Sequence, residues 1–401
     1  MYRRAALVLF GLVFCSICFA GEPITIGESF TIDSKVLGEE RTVLVSTPAG
    51  YDQSQESYIV VYMTDGPAHL TYTRGIADVL ARNGLAPNLI IVGVANTDRT
   101  RDLTPTRTDY PRRDGGVVQA PTSGGAADFL TFFEKELIPF INSRYRTLPY
   151  RIFSGHSFGG LFAVNALVTR PELFDAVIAL SPSLRWDDDF PIRMTEDFFE
   201  DRKKFKATLF VAMGNEEEGD PRPNRLDRLE AALQAADVDG LRWRVVRHPD
   251  ENHGSVVLRA QDEALRFVFE GWLLPVDPET RRFVGGLDEF KKHYAGQSDR
   301  FGFTVQPSEQ MVNLLGYQML GQGQFDEAIE IFRYNVTLYP TSANVYDSLG
   351  EAFERTDRLD EAAANYSKAV ENATALGDVR LPIFTENRDR AKAALEHENA
   401  N

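Results

Sequence analysis

Short apolar runs separated by polar turns set the rhythm of the first two thirds of the chain. Tyr150-Arg151-Ile152-Phe153, Ala207 to Met213 and Leu241 to Arg247 have the length and the β-branched or aromatic content of strands. Leu161 to Leu167 and Val256 to Phe269 read as helices between and after them. Beyond Trp272 the rhythm changes. Leu274-Pro275-Val276-Asp277-Pro278 breaks the last of these helices, and a charged stretch with scattered aromatics runs to Pro307. From about Ser308 the chain repeats: Leu315-Gly316, Asp326-Glu327-Ala328 and Phe332 recur as Leu349-Gly350, Asp360-Glu361-Ala362 and Tyr366, 34 positions later. That period, with small residues where two helices cross, predicts tetratricopeptide hairpins followed by a capping helix from about Thr385 to His397. In the first copy Asn335 departs from the small residue expected there, while Ala369 supplies it in the second.

The turn between the strand at Phe153 and the helix at Leu161 carries the chemistry. Gly155-His156-Ser157-Phe158-Gly159-Gly160 has the G-x-S-x-G spacing of a nucleophile elbow, in which small residues let the backbone fold sharply and lift the serine clear of the sheet. A serine hydroxyl is a weak nucleophile near neutral pH and needs a base steadied by an acid. His248 closes a strand and precedes Pro249, whereas His253 lies in the polar loop Asp250 to Ser255 just ahead of a helix. His253 is therefore the expected general base. The acid should follow the strand that ends at Met213, where Glu216, Glu217 and Glu218 stand in a row; spacing alone does not choose among them.

With these motifs the chain resembles the esterase family of α/β hydrolases that contains esterase D and the enterobactin and bacillibactin siderophore esterases. The resemblance runs from about Glu28 to Trp272. It rests on Tyr62-Met63-Thr64-Asp65-Gly66, Asn96-Thr97-Asp98-Arg99-Thr100-Arg101-Asp102-Leu103-Thr104-Pro105, the elbow, Ser181-Pro182-Ser183-Leu184-Arg185-Trp186 and Glu251-Asn252-His253-Gly254-Ser255. It implies an α/β-hydrolase three-layer sandwich and ester hydrolysis through an acyl-enzyme on Ser157, with no metal or other cofactor. The substrate implied is a small acyl ester, of siderophore type as the leading guess. Members with a G-x-x-E turn use its last residue as the acid, so Gly214-Asn215-Glu216-Glu217 favours Glu217, with Glu216 as the fallback. The oxyanion hole would take the Phe158 N–H and one from Thr64 to Ala68, where Pro67 has none to give, leaving Gly66 as first choice and Ala68 as second. Two rivals stand beside this reading: an acyltransferase using the same triad, and a scaffold whose repeats recruit a partner and whose triad has decayed.

The expected organisation is a signal peptide over 1–20, the hydrolase domain over 21–273, a linker over 274–307 and an all-α tetratricopeptide-repeat domain over 308–397. The leader is read from Arg3-Arg4, the apolar run Ala5 to Phe14 and a small-residue site at Ala20, and it predicts an exported protein, periplasmic or secreted. Both cysteines, Cys15 and Cys18, fall in it, so the mature chain can form no disulfide and holds together by core burial. The 401 residues are 43% hydrophobic and 25% charged, with a net charge of −16 that argues against nucleic acid or anionic membrane as a general partner. No later apolar run is long enough to span a bilayer. Two repeats alone leave an apolar face that must dock on the hydrolase, a second copy or a protein partner.

Against that acidic background Arg99, Arg101, Arg107, Arg112 and Arg113 crowd one Pro/Thr-rich loop. Guanidinium forks suit carboxylate or phenolate ligands, so Arg99 and Arg101 are candidate substrate contacts, although Asp98, Asp102, Asp109 and Asp114 could neutralise them locally. Trp186 is a further candidate, as a wall of the substrate pocket or as a packing residue.

Overall fold

The computed structural model describes residues 24–111, 116–216, 224–280 and 282–399. The expected leader, Arg112 and Arg113, and the acid candidates Glu217 and Glu218 lie outside them. The chain first lays down β1 (Glu28–Ser34), β2 (Glu39–Ser46), β3 (Tyr58–Met63) and β4 (Leu89–Val94). A short hairpin of β5 (Tyr110–Pro111) and β6 (Val117–Val118) follows, and then β7 (Thr147–His156), β8 (Ala176–Leu180), β9 (Lys204–Met213) and β10 (Asp239–Arg247). Eight of these strands form one sheet in the order β1-β2-β4-β3-β7-β8-β9-β10. It is parallel from β4 onward, while β2 runs antiparallel to both β1 and β4.

The strands β3, β4 and β8 are buried at every position, as unbroken apolar strands are when helices cover both faces of a parallel sheet. Alternation decides which face each side chain serves. Tyr58, Val60 and Tyr62 join a core with Phe162 and Leu226 on one side; Ile59, Val61 and Met63 join Leu70, Ala77 and Val256 on the other. This is the α/β three-layer architecture expected from the sequence. Because the strands are parallel, the C-terminal ends of β3, β7, β8, β9 and β10 gather at one edge, where open α/β sheets place their ligands.

The rest of the chain is helical. The helix Leu287–Phe301 lies within the span read as a linker and joins the two halves. Phe290 belongs to the helical core, whereas Phe301 packs edge-on against Tyr150 of β7, with ring centroids 4.9 Å apart, and beside Phe269 and Trp272. Next come Glu309–Gly321 and Phe325–Leu338, then Ala343–Glu354 and Leu359–Leu376, and last Leu381–Asn399, which packs along Leu359–Leu376. The 34-residue offset holds in the packing: a Cβ on Gly316 would lie 2.5 Å from the Phe332 ring, and one on Gly350 would lie 2.8 Å from Tyr366. Asn335 is fully buried, its Nδ2 donating to the Glu309 carbonyl across the first hairpin at 3.0 Å.

Candidate active site

The strand β7 ends at His156 and a helix begins at Phe158, so Ser157 alone makes the turn, at φ 62 and ψ −115. For a non-glycine residue such a conformation costs about 1–3 kcal/mol and persists only where the surroundings impose it. Here the Ser157 N–H donates to Leu180 at the end of β8 (2.9 Å), and its carbonyl accepts from Leu161 (2.9 Å) and Ser183 (3.2 Å). The flanking glycines are obligatory for close approach. A Cβ on Gly155 would overlap the Gly159 carbonyl, and one on Gly159 would overlap the Thr64 hydroxyl.

His253 stands on the loop between β10 and the helix Val256–Val268, and its Nδ1 lies 2.8 Å from Glu216 Oε1. Glu216 follows the end of β9, and the turn carrying it is fixed by the Asn215 N–H, which donates to the Glu251 carbonyl at 2.9 Å. The carboxylate brought to the imidazole is thus that of Glu216, the second choice on sequence grounds, while the first choice, Glu217, lies outside the described residues. Burial pushes the Glu216 carboxyl up, but hydrogen bonds from His253 and from the Ser181 hydroxyl hold it below the usual carboxylate range. Ser157, Glu216 and His253 line one cleft of about 530 Å³, together with Phe158, Ser181, Leu184, Arg185, Met213, Arg225 and Asn252.

The loop expected to complete the oxyanion hole is close to the elbow, through Thr64 and Asp65 against Gly159. The Ala68 N–H is spent on the Asp65 carbonyl at 2.9 Å, which removes one of the two candidate donors. Gly66 opens the helix Gly66–Arg82, packs against the backbone of Gly93 and is not among the residues lining the cleft.

Arg99, Arg101 and Trp186, read as candidate substrate contacts, are not among the residues lining that cleft. Arg99 pairs with Asp65 at 2.7 Å, donates to the His156 carbonyl at 3.0 Å and lies over the Phe158 ring. Burial pushes the Asp65 carboxyl up, yet its bond to Arg99 and that cation's charge hold it below its ordinary value. Arg101 is held by Glu39 at 2.5 Å and by Asp102 at 2.7 Å, and Asp102 also pairs with the fully buried Arg41. Trp186 is fully buried behind Phe158, with its indole N–H donated to the Thr106 hydroxyl at 2.9 Å. Arg99 braces the elbow through the His156 carbonyl, while Arg101 is tied to β2 through Glu39. The arginines on the cleft are Arg185, which was visible in the Ser181 to Trp186 motif but not singled out, and Arg225, which is paired with Asp189 at 2.5 Å.

Among known proteins, the family model described as "Putative esterase" matches residues 34–231. The ferri-bacillibactin esterase BesA of Bacillus subtilis is 30% identical over 239 residues, which cover 55% of this chain and 79% of that protein. The crystal structure of an IroE-like serine hydrolase from Shewanella oneidensis superimposes with a TM-score of 0.67 at 31% identity, covering 78% of this chain and 99% of that one. An uncharacterised protein from Capnocytophaga ochracea, only 16% identical, shares the fold over 92% of this chain and 99% of its own, with a TM-score of 0.66.

Proposed function

The chain belongs to this esterase family, and from that premise we propose that it is a serine esterase acting through Ser157, His253 and Glu216. The observation that carries the reading is the meeting, in one cleft, of a strained serine at a strand-to-helix turn and a histidine whose Nδ1 is held by a carboxylate. Ser157 Oγ attacks the ester carbonyl as His253 takes its proton; His253 returns that proton to the leaving alcohol, and water admitted by the exposed imidazole releases the acid. Glu216 fixes the tautomer of His253 and stabilises the imidazolium. The Phe158 N–H, at the first position of its helix, is one oxyanion donor, and Gly66 is the proposed second. The named activity of BesA makes an ester of siderophore type the first substrate to try.

The same proposal covers the rest of the chain. The leader directs export, and the helix pairs after Ser308 are tetratricopeptide-type repeats built onto the hydrolase. No helix among the described residues is long and apolar enough to cross a membrane. The test is Ser157→Ala. Hydrolysis of p-nitrophenyl butyrate and of a catecholate trilactone should fall by about a thousandfold or more with the fold retained, since only a hydroxyl is lost from the turn. A mutant within about tenfold of wild type removes Ser157 from the mechanism.

A further inference from the structure

Resting on the serine-esterase reading above, we propose that His156 is a positioning residue for the general base: its Nε2–H holds the main-chain carbonyl of His253 and so fixes where the imidazole stands in the cleft. His156 occupies the variable position of the elbow, immediately before the nucleophile, and its Nε2 lies 2.7 Å from the His253 carbonyl oxygen. A carbonyl only accepts, so that nitrogen carries the proton. The two rings sit 4.7 Å apart at 44°.

The need for such a tie comes from the loop. The His253 side chain is 47% exposed and is held through Nδ1 by Glu216, so little packing holds the ring from outside. On one side the loop is closed by Asn252, whose Oδ1 accepts from the N–H groups of Gly254 at 2.9 Å and Ser255 at 3.0 Å. On the side facing the elbow the hold is His156. The His156 carbonyl is itself fixed by Arg99 at 3.0 Å, and Ser157 is the next residue. One residue therefore sets both the nucleophile's backbone and the base's backbone, and a small error in that spacing is expensive in rate.

The hold also has to stay uncharged. Burial, followed by the nearby His253, His69 and Arg99, disfavours the imidazolium of His156 and pushes its pKa down to about 4, although the bond to His253 works the other way. On the opposite side the His69 ring meets His156 edge-on at 5.7 Å, with Asp65 and its Arg99 partner behind it. When His253 takes up the serine proton, its neighbour is thus neutral and adds no like-charge repulsion.

The experiment compares His156→Ala, His156→Gln and His156→Asn with the wild-type chain on p-nitrophenyl butyrate across pH 5–9, with melting temperature and near-UV circular dichroism recorded for each. A glutamine amide reaches as far as Nε2, whereas an asparagine amide reaches only as far as Nδ1. His156→Ala and His156→Asn should lose about 10- to 100-fold in kcat with KM little changed, and His156→Gln should recover most of it. Equal kcat for the glutamine and asparagine variants, or a loss confined to KM, overturns the proposal. So does full activity of His156→Ala. If His156→Ala does not fold, the glutamine and asparagine pair decides. A wild-type chain that hydrolyses no ester, or a Ser157→Ala variant that keeps its rate, overturns instead the esterase reading on which this rests.

Discussion

Arg99 and Arg101, on the segment after β4, and Arg185, on the segment after β8, are partly exposed arginines at the same end of the sheet, yet their surroundings divide them. The first two are bound by carboxylates that are themselves largely buried: Asp65 for Arg99, and Asp102 with Glu39 for Arg101. Arg185 and Arg225 line the cleft that holds Ser157, and Arg225 also pairs with Asp189. A count of arginines along the sequence favours the first segment as an anion site. Position on the cleft, which Arg185 has and Arg99 and Arg101 lack, makes Arg185 the first arginine to test against an anionic ester. On the first segment Arg99 acts as a brace, donating to the carbonyl next to the nucleophile.

The comparison breaks most visibly at Asp102. Its side chain is 2% exposed and pairs with Arg41, which is fully buried, at 2.5 Å. Asp102→Asn leaves Arg41 with the partly exposed Glu39, at 2.6 Å, as its carboxylate partner and should cost about 3 kcal/mol, the lower end for a broken buried pair, in urea unfolding at pH 7. A loss below about 1 kcal/mol, the range of surface pairs, would make the segment an ordinary charged loop. The next effect in size sharpens the other side. Arg185→Gln should raise KM for a p-nitrophenyl ester with an acidic acyl chain by about fivefold at low salt, the scale of one exposed charge pair, and leave a neutral ester of similar size unaffected. Salt of about 0.5 M should erase the difference, and Arg101→Gln should leave it intact. If Arg101→Gln and Arg185→Gln lower the preference for the anionic ester equally, the division between the two segments fails.

The smallest effect is in pH dependence. The Asp65 carboxyl is held below its ordinary 3.8 in the folded chain, so on acidification the unfolded chain takes up this proton first. Its contribution to stability is complete above that ordinary value and disappears as pH falls through the lower folded one. Asp65→Asn should therefore show a flatter loss of stability below about pH 4 than wild type, read by acid unfolding followed by fluorescence. Parallel acid limbs would separate Asp65 from the brace.

Legibility in the sequence followed how local each interaction is. The strand-to-helix turn at Ser157 was readable because strand, glycines and helix are contiguous, and the loop position of His253 because it falls between the last strand and its helix. The choice between Glu216 and Glu217 was not readable. It depends on how the turn at Gly214 closes on Glu251, a contact between distant segments that a run of three glutamates conceals. The pairings of Trp186 with Thr106, Arg99 with Asp65 and Arg101 with Glu39 were hidden for the same reason, since these partners come from elsewhere in the chain. His156 was in view inside the elbow, but nothing in the spacing says that its ring meets the His253 loop. In the second half the paired glycines at 316 and 350 announced the crossing helices. The helix Leu287–Phe301 was obscured by the charged residues that separate Phe290 from Phe301, the two positions that sew the halves together.

If Ser157 is the nucleophile of an acyl-enzyme, a fluorophosphonate probe followed by peptide mapping of the full chain will find it. A single adduct is expected, on the peptide containing Ser157, with hydrolysis of p-nitrophenyl butyrate lost in proportion to labelling. Hydrolysis that survives complete modification of Ser157, or inactivation with the adduct on another residue, would contradict it.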